Sequence, residues 1–285
     1  MTAASPPVQA AKAAGPAVPP ASHHVGFGHL MLAEWTKIRS VRSTIWTLLL
    51  FVVITIGFTA LFSWLTASHW TGPRAGARDA TIIGNPISFI LGAGIGLGQL
   101  TLCVLGALVF TTEYSSGVIR SSLLAVPRRI PMLAAKAAVF ALLLVVLAEI
   151  VSFGCFFIGS SILHSHVAVS LSGKDVMRSV VGAGLYLTVL GLFALAIGTL
   201  LRHTAGAITT VIGIVLVLPI LSGLLPSSWG AHINAYLPEQ AGSLIYAPGR
   251  AAGQLLSAWQ GFGIFCLWTA VLLVAGGYLL KRRDA

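Results

Sequence analysis

Six runs of about twenty predominantly apolar residues make up most of this 285-residue sequence. Each run is long enough to cross the ~30 Å hydrocarbon core of a bilayer as a helix that rises 1.5 Å per residue. The predicted spans are 45–65, 87–110, 137–162, 179–201, 205–225 and 259–280. Five of them contain no charged residue, and the third contains one, Glu149. The pattern predicts an all-α polytopic membrane protein with six transmembrane helices.

The composition excludes an ordinary soluble domain, because 56% of the residues are hydrophobic and only 8% are charged. A soluble domain carries roughly 25% charged residues. The formal net charge is +10, but the basic residues cluster between the apolar runs, as expected for loops beside a membrane. Membrane lipids are therefore the expected surroundings of this chain, and no nucleic-acid partner is expected.

The distribution of Lys and Arg predicts the orientation of the spans. With the N-terminus placed in the cytoplasm, the internal segments carry 12 of the 17 basic residues and the external segments carry 5. This asymmetry favours both termini inside the cell, and an even number of spans agrees with it. We expect a multi-pass protein of the cell (plasma) membrane. Its external loops would be 68–85, 163–178 and 226–257.

Two segments precede the first span. Residues 1–28 are rich in Ala and Pro and predict a disordered cytoplasmic tail, so the six-span domain is expected to cover 29–285. In residues 29–43, Met31, Trp35 and Ile38 recur at helical spacing, although Glu34 interrupts the apolar face. The segment is either an interfacial helix with Lys37, Arg39 and Arg42 near lipid phosphates or the positively charged flank of a span.

Glycines recur in the second span at positions 92, 94, 96 and 98. They do not match a dinucleotide-binding motif. Gly92 with Gly96, or Gly94 with Gly98, would form a small face for close helix packing. In the fifth span, Pro219 predicts a kink.

No motif for catalysis or cofactor binding is present. The sequence lacks HExxH and GxSxG motifs, and Gly173-Lys174 does not match a phosphate-binding loop. Its three cysteines lie singly in apolar segments, away from His or Asp at metal-ligand spacing. We therefore expect a chain that is not an enzyme and holds no cofactor or metal. Glu149 is the one acidic residue inside a span, which leaves an ion-coupled carrier as an alternative.

The polar segment between the second and third spans is 111–136, TTEYSSGVIRSSLLAVPRRIPMLAAK. Thr111 or Thr112 would cap a helix with Glu113 in its first turn, where a negative charge suits the helix dipole. Pro127 would end that helix. The segment predicts a short cytoplasmic helix followed by a basic return to the membrane at Lys136.

This segment closely resembles the first intracellular loop of type-2 ATP-binding-cassette (ABC) transporter permeases, especially actinobacterial members. AEWTKIRSVRSTIW (33–46) is similar to the elbow helix that precedes their first span. YLPEQAG (236–242) resembles part of their last outer loop, and LLKRRDA (279–285) resembles their C-terminal ending. With six spans, the resemblance covers nearly all of residues 29–285.

The resemblance implies the permease subunit of an ATP-driven exporter, coupled to a separate ATPase subunit that binds ATP and Mg. Two permeases, identical or similar, would pair with two ATPases. The implied coupling-helix residues are Glu113, Tyr114, Ser115, Ser116, Gly117 and Arg120. The implied elbow-helix residues include Glu34, Trp35, Lys37 and Arg39. Two alternatives are an ATP-independent secondary carrier that uses Glu149 and a membrane scaffold that recruits a cytoplasmic partner through 111–136.

Overall fold

The computed structural model describes residues 26–71, 77–117, 129–249 and 253–282. Throughout this part of the chain, every regular element is helical, and there are ten helices. They are α1 (Phe27–Ser40), α2 (Arg42–Ser68), α3 (Ala77–Gly84), α4 (Pro86–Ser115), α5 (Arg129–Leu163), α6 (Val176–Leu201), α7 (Thr204–Gly223), α8 (Ser227–Tyr236), α9 (Pro238–Ser243) and α10 (Ala258–Arg282). Residues 1–25 of the predicted tail lie outside the described residues, and α1 begins at Phe27, inside the predicted tail.

Six of these helices are long and apolar enough to cross a membrane: α2, α4, α5, α6, α7 and α10. They coincide with the six predicted spans and extend most of them by a few residues, so the prediction of an all-α polytopic fold is confirmed. The chain is a multi-pass membrane protein.

Helix α6 is the centre of the bundle and packs against α4, α5, α7 and α10. In its most apolar 18-residue stretch, 78% of the residues are buried, compared with 17% in the corresponding stretches of α2 and of α7. Small residues allow this close approach. Gly191 lies against Leu144 of α5, and Gly198 lies against the backbone of Ala107 in α4. The apolar faces of α2 and α7 are left exposed outside the bundle.

The glycine run of α4 packs on one of its two predicted faces. Gly94 and Gly98 lie directly against Thr55 and Thr59 of α2. A Cβ atom added to Gly92 or Gly96, by contrast, would have no atom of another helix within 4 Å. A larger residue at 94 or 98 would therefore separate the first two spans.

Helix α7 contains a π-helical segment at Gly213–Val217, which ends two residues before Pro219. The N–H of Leu218 bonds to the carbonyl of Gly213, five residues back. A proline removes one hydrogen bond of the helix, and π-segments and prolines are the usual sites of helix bending. The widened turn lies close to Pro219, and the kink predicted there stays a prediction.

The bundle has polar contacts at each of its two ends. At one end, which we call the basic end, Arg129 Nη1 donates to the carbonyl of Leu280 at 2.8 Å and Arg202 Nη2 donates to that of Leu279 at 3.3 Å. At the opposite end, the Arg178 guanidinium donates to the carbonyls of Ile245 and Ala247. The short helices α8 and α9 belong to that opposite end.

Candidate functional site

Four charged side chains from three helices meet at the basic end and form what we call the charge cluster: Glu34, Lys37, Glu113 and Lys136. Lys136 Nζ donates to Glu34 at 2.5 Å and to Glu113 at 2.7 Å. Lys37 Nζ donates to the same two carboxylates at 2.8 and 3.3 Å. The two acids and two bases alternate, so the cluster is neutral overall.

Helix α1 contributes Glu34 and Lys37, which lie three residues apart on one face. The buried residues of α1 are Leu30 and Glu34, and α1 packs against α5. Glu34 was predicted to interrupt the apolar face of an interfacial helix. Glu34 does lie on the buried face of α1 beside Leu30, and there it pairs with Lys136 and Lys37. Its carboxylate is buried only because Lys136 and Lys37 both bind it.

Glu113 lies in the last turn of α4 and not in the first turn of a new helix. The prediction that Thr111 or Thr112 caps a helix is therefore wrong. Their hydroxyls donate instead to the carbonyls of Ala107 and Leu108, four residues back, so helix α4 continues through them. The helix ends where Gly117 takes a left-handed φ of 73°, the usual conformation just beyond a helix C-terminus.

Three members of the charge cluster are largely removed from solvent, whereas the Lys37 side chain is 34% exposed. The side chains of Lys136 and Glu34 are 3% and 4% exposed, and that of Glu113 is 12% exposed. Burial by itself lowers the pKa of Lys37, but its hydrogen bond to Glu34 and the charges of Glu113 and Glu34 outweigh burial and raise it. Removing one member would leave a buried charge without its partner, which is costly.

A cavity of about 300 Å³ lies beside the charge cluster, between α1, the start of α2 and the end of α4. Leu105, Leu108 and Val109 form its apolar wall. Its hydroxyl-bearing residues are Ser43, Thr44, Thr47, Thr112 and Ser116. Oε2 of Glu113 is buried and makes no hydrogen bond to any described residue. The cavity is thus lined by all four members of the charge cluster.

Tyr114 also points into the bundle. Its ring packs on Phe110 with centroids 5.3 Å apart, and the Arg202 guanidinium lies 4.9 Å above it. This contact joins the end of α4 to the connection between α6 and α7. Arg202 itself has a left-handed φ of 56°.

The predicted coupling residues therefore separate into two groups. Glu113 and Tyr114 bind other helices of this chain, whereas Ser115, Ser116 and Gly117 are exposed at the end of α4. Arg120 lies outside the described residues. Of the predicted elbow-helix residues on α1, Trp35 and Arg39 are exposed, and Glu34 and Lys37 belong to the charge cluster. Sequence reasoning treated Lys136 only as a basic return to the membrane, although it is the most buried cation of the cluster.

The intramembrane acid, Glu149, lies on α5 and faces α6. A Cβ atom built on Gly184 would be 2.6 Å from Oε1 of Glu149, so the glycine makes room for the carboxyl group. Oε2 of Glu149 is buried without a hydrogen-bond partner in the described part of the chain.

Toward the opposite end lies a polar group that sequence reasoning did not assign. Tyr186 donates to Gln99 at 2.7 Å inside the bundle, and its ring meets that of Tyr246 with centroids 5.3 Å apart. On α9, Glu239 accepts from the Gln240 amide at 2.7 Å. Burial raises the pKa of Glu239 to about 7. Burial and the nearby Glu239 charge also raise the pKa of Tyr246.

Among the described residues, no three His, Cys, Asp or Glu side chains are grouped in a way that would hold a metal ion. A scan of the sequence against models of protein families finds no matching family. A search of curated proteins finds no match either.

Proposed function

We propose that this chain is the membrane-spanning permease subunit of an ATP-driven ABC exporter, and that a separate ATPase subunit binds ATP and Mg. The observation that supports this proposal is the charge cluster. It fixes the elbow helix α1 to both helices, α4 and α5, that flank the segment resembling an ABC coupling loop. A solvated basic loop without a mechanical role would not require two largely buried carboxylates and a buried lysine at its base.

The cluster suits a coupling role because coupling needs a rigid connection between the docking surface and the pathway. A displacement of the exposed chain after Glu113 would act on α4 directly and on α1 and α5 through Lys136. The contact between Tyr114 and Arg202 would carry it to the start of α7. In this proposal none of these residues is catalytic, and the basic end faces the cytoplasm.

The short helices at the opposite end are consistent with an export pathway whose outer end is closed. Between α7 and α10 the chain forms the two short helices α8 and α9, and α9 packs against α6, α7 and α10. Helix α9 begins within YLPEQAG, the segment that resembles the last outer loop of these permeases. A dimer of this chain, or a pair with a similar permease, would place a pathway for a hydrophobic or amphipathic substrate between the two bundles.

An ATP-independent carrier is the second candidate, and one observation favours it. The carboxyl group of Glu149 lies within a span, and its Oε2 is buried without a partner in the part of the chain described. Such groups often serve ion coupling. The exporter is favoured because the four-residue cluster and the exposed end of α4 have no role in that carrier mechanism.

Co-purification with an ATPase tests the proposal. We expect a neighbouring gene to encode a soluble protein with a GxxxxGK[ST] motif. That protein should bind this chain when the two are expressed together. The complex should hydrolyse ATP. A scaffold would bind its partner without moving a substrate, whereas a carrier would move one without any partner.

A further inference from the structure

A second concave surface lies at the basic end, away from the charge cluster. It is a groove of about 760 Å³ between the start of α5 and the end of α10. Ile130 and Leu133 form one wall, and Leu273 and Val274 form the other. The small residues Ala134, Ala137 and Gly277 deepen it. The groove therefore has the shape and polarity to take a hydrocarbon chain lying along the two helices.

The mouth of the groove is basic. Lys281 and Arg282 line it and are exposed, and the Arg282 guanidinium lies 4.7 Å above the ring of Tyr278. Beside them, Arg129 bonds to the carbonyl of Leu280 and holds the two helices together. No acidic side chain lines the groove within the described residues. An anion is the ligand that complements this mouth.

The mouth also lies at the depth of lipid phosphates. Helix α10 has 25 residues and is therefore about 37 Å long, compared with a hydrocarbon core of about 30 Å. With a ~30 Å core centred on α10, its last turn, which carries Lys281 and Arg282, would extend into the headgroup region, and Val274 and Leu273 would lie among the acyl chains. Basic residues at this level, next to a groove between spanning helices, attract anionic lipid headgroups.

We propose that this groove binds an anionic phospholipid, with one acyl chain between α5 and α10 and the phosphate at Lys281 and Arg282. A second copy of this chain suits the groove less well. A symmetric contact would bring each Lys281 and Arg282 toward the same residues of the copy, with like charges facing each other. The inference does not depend on the proposed export function.

Native mass spectrometry of the detergent-purified chain tests this inference, with phosphatidylglycerol and phosphatidylcholine as probes. We expect selective retention of phosphatidylglycerol. The double variant Lys281→Gln/Arg282→Gln should weaken it roughly 25-fold, because each basic residue near an anionic surface contributes about fivefold. The control, Lys174→Gln, removes a charge from an exposed residue at the opposite end and should leave retention unchanged. Ala134→Trp should also weaken retention by filling the groove.

Three results would contradict the inference. Equal retention of both lipids would show that the basic mouth does not select a headgroup. Competition by inorganic phosphate at millimolar concentration would show that the acyl chain contributes nothing. Loss of a dimer in Ala134→Trp, with lipid binding unchanged, would assign the groove to a second copy. Melting temperatures equal to wild type would confirm that the variants are folded.

Discussion

The Lys136 ammonium on α5 donates to the Glu34 carboxylate on α1 and joins two residues 102 positions apart in the chain. Both side chains are almost completely buried, and Glu113 and Lys37 complete the alternation of charge around them. Helix α1 is thus fixed to the bundle by ionic contacts as well as by apolar packing.

Lys136→Ala should destabilise the protein by about 3–5 kcal/mol, because it leaves Glu34 and Glu113 buried with one cation between them. Lys174→Ala is the matched control. It removes the same charge from an exposed residue at the opposite end and should change stability by less than about 0.5 kcal/mol. Denaturant titration in detergent would measure both variants.

The double variant Glu34→Met/Lys136→Met provides the internal check. It removes one acid and one base and leaves Lys37 beside Glu113, so its cost should be clearly smaller than the sum of the two single replacements. Additive single effects would show that the two residues are not coupled.

Arg120→Ala and Glu113→Ala should have different consequences for ATPase docking. We expect Arg120→Ala to lower the yield of complex at least fivefold, as expected for an interface residue worth about 1 kcal/mol, with an unchanged melting temperature. Glu113→Ala should lower both, since Glu113 holds Lys136 and Lys37. Pull-down with the cognate ATPase and thermal melting would separate these effects. Arg39→Ala, exposed on α1, is the control. Full complex formation by both variants would remove this segment from the docking surface.

Cysteine labelling of intact cells tests the orientation. Cys103, Cys155 and Cys266 would first be replaced by Ala. A membrane-impermeant maleimide should then label Ser172→Cys, which is exposed between α5 and α6, and should leave Leu124→Cys unlabelled until the cells are opened. External labelling at 124 would reverse the orientation assigned from the basic residues.

Glu149→Gln should transport within about twofold of wild type across pH 5.5–8, because an ATP-driven cycle does not need proton release from α5. The amide keeps the size of the side chain beside Gly184. Loss of transport in this variant, together with a wild-type rate that depends on a pH gradient and not on ATP, would favour the carrier.

Helix α9 should make stability depend on pH. The pKa of Glu239 is raised by burial from 4.5 to about 7, so the folded protein holds this proton more tightly than the unfolded chain. Its contribution to stability is complete below about pH 4.5, falls as pH rises through 7, and is constant above about 8. Glu239→Gln should flatten the melting temperature over this range. An unchanged slope would show that the carboxyl group titrates normally.

The sequence was sufficient to predict all six spans, since each exceeds the length needed to cross a bilayer and contains almost no charge. It was insufficient for the charge cluster. Glu34 and Lys136 each have an ordinary local explanation, as an interruption of an apolar face and as a basic flank, and only the packing of α1 on α5 brings them together.

Local pattern was also misleading at Thr111 and Thr112, because a threonine that caps a helix and one that bonds to the preceding turn look alike in sequence. The choice between Gly92 with Gly96 and Gly94 with Gly98 required knowing where Thr55 of α2 lies. The packing face of the α4 glycines and the charge cluster both depend on contacts between distant segments, and a local sequence pattern does not specify such contacts.

Substrate flux in proteoliposomes is the most direct test of the central proposal. The wild-type chain, reconstituted with its cognate ATPase, should move a hydrophobic or amphipathic substrate only when ATP and Mg are supplied on the side that carries the ATPase. Lys136→Ala removes the contacts of α5 with Glu34 on α1 and Glu113 on α4. This variant should retain less flux per ATP hydrolysed than Lys174→Ala. Flux without ATPase or ATP would contradict the proposal in favour of a carrier, and binding of ATPase without flux of any candidate substrate would contradict it in favour of a scaffold.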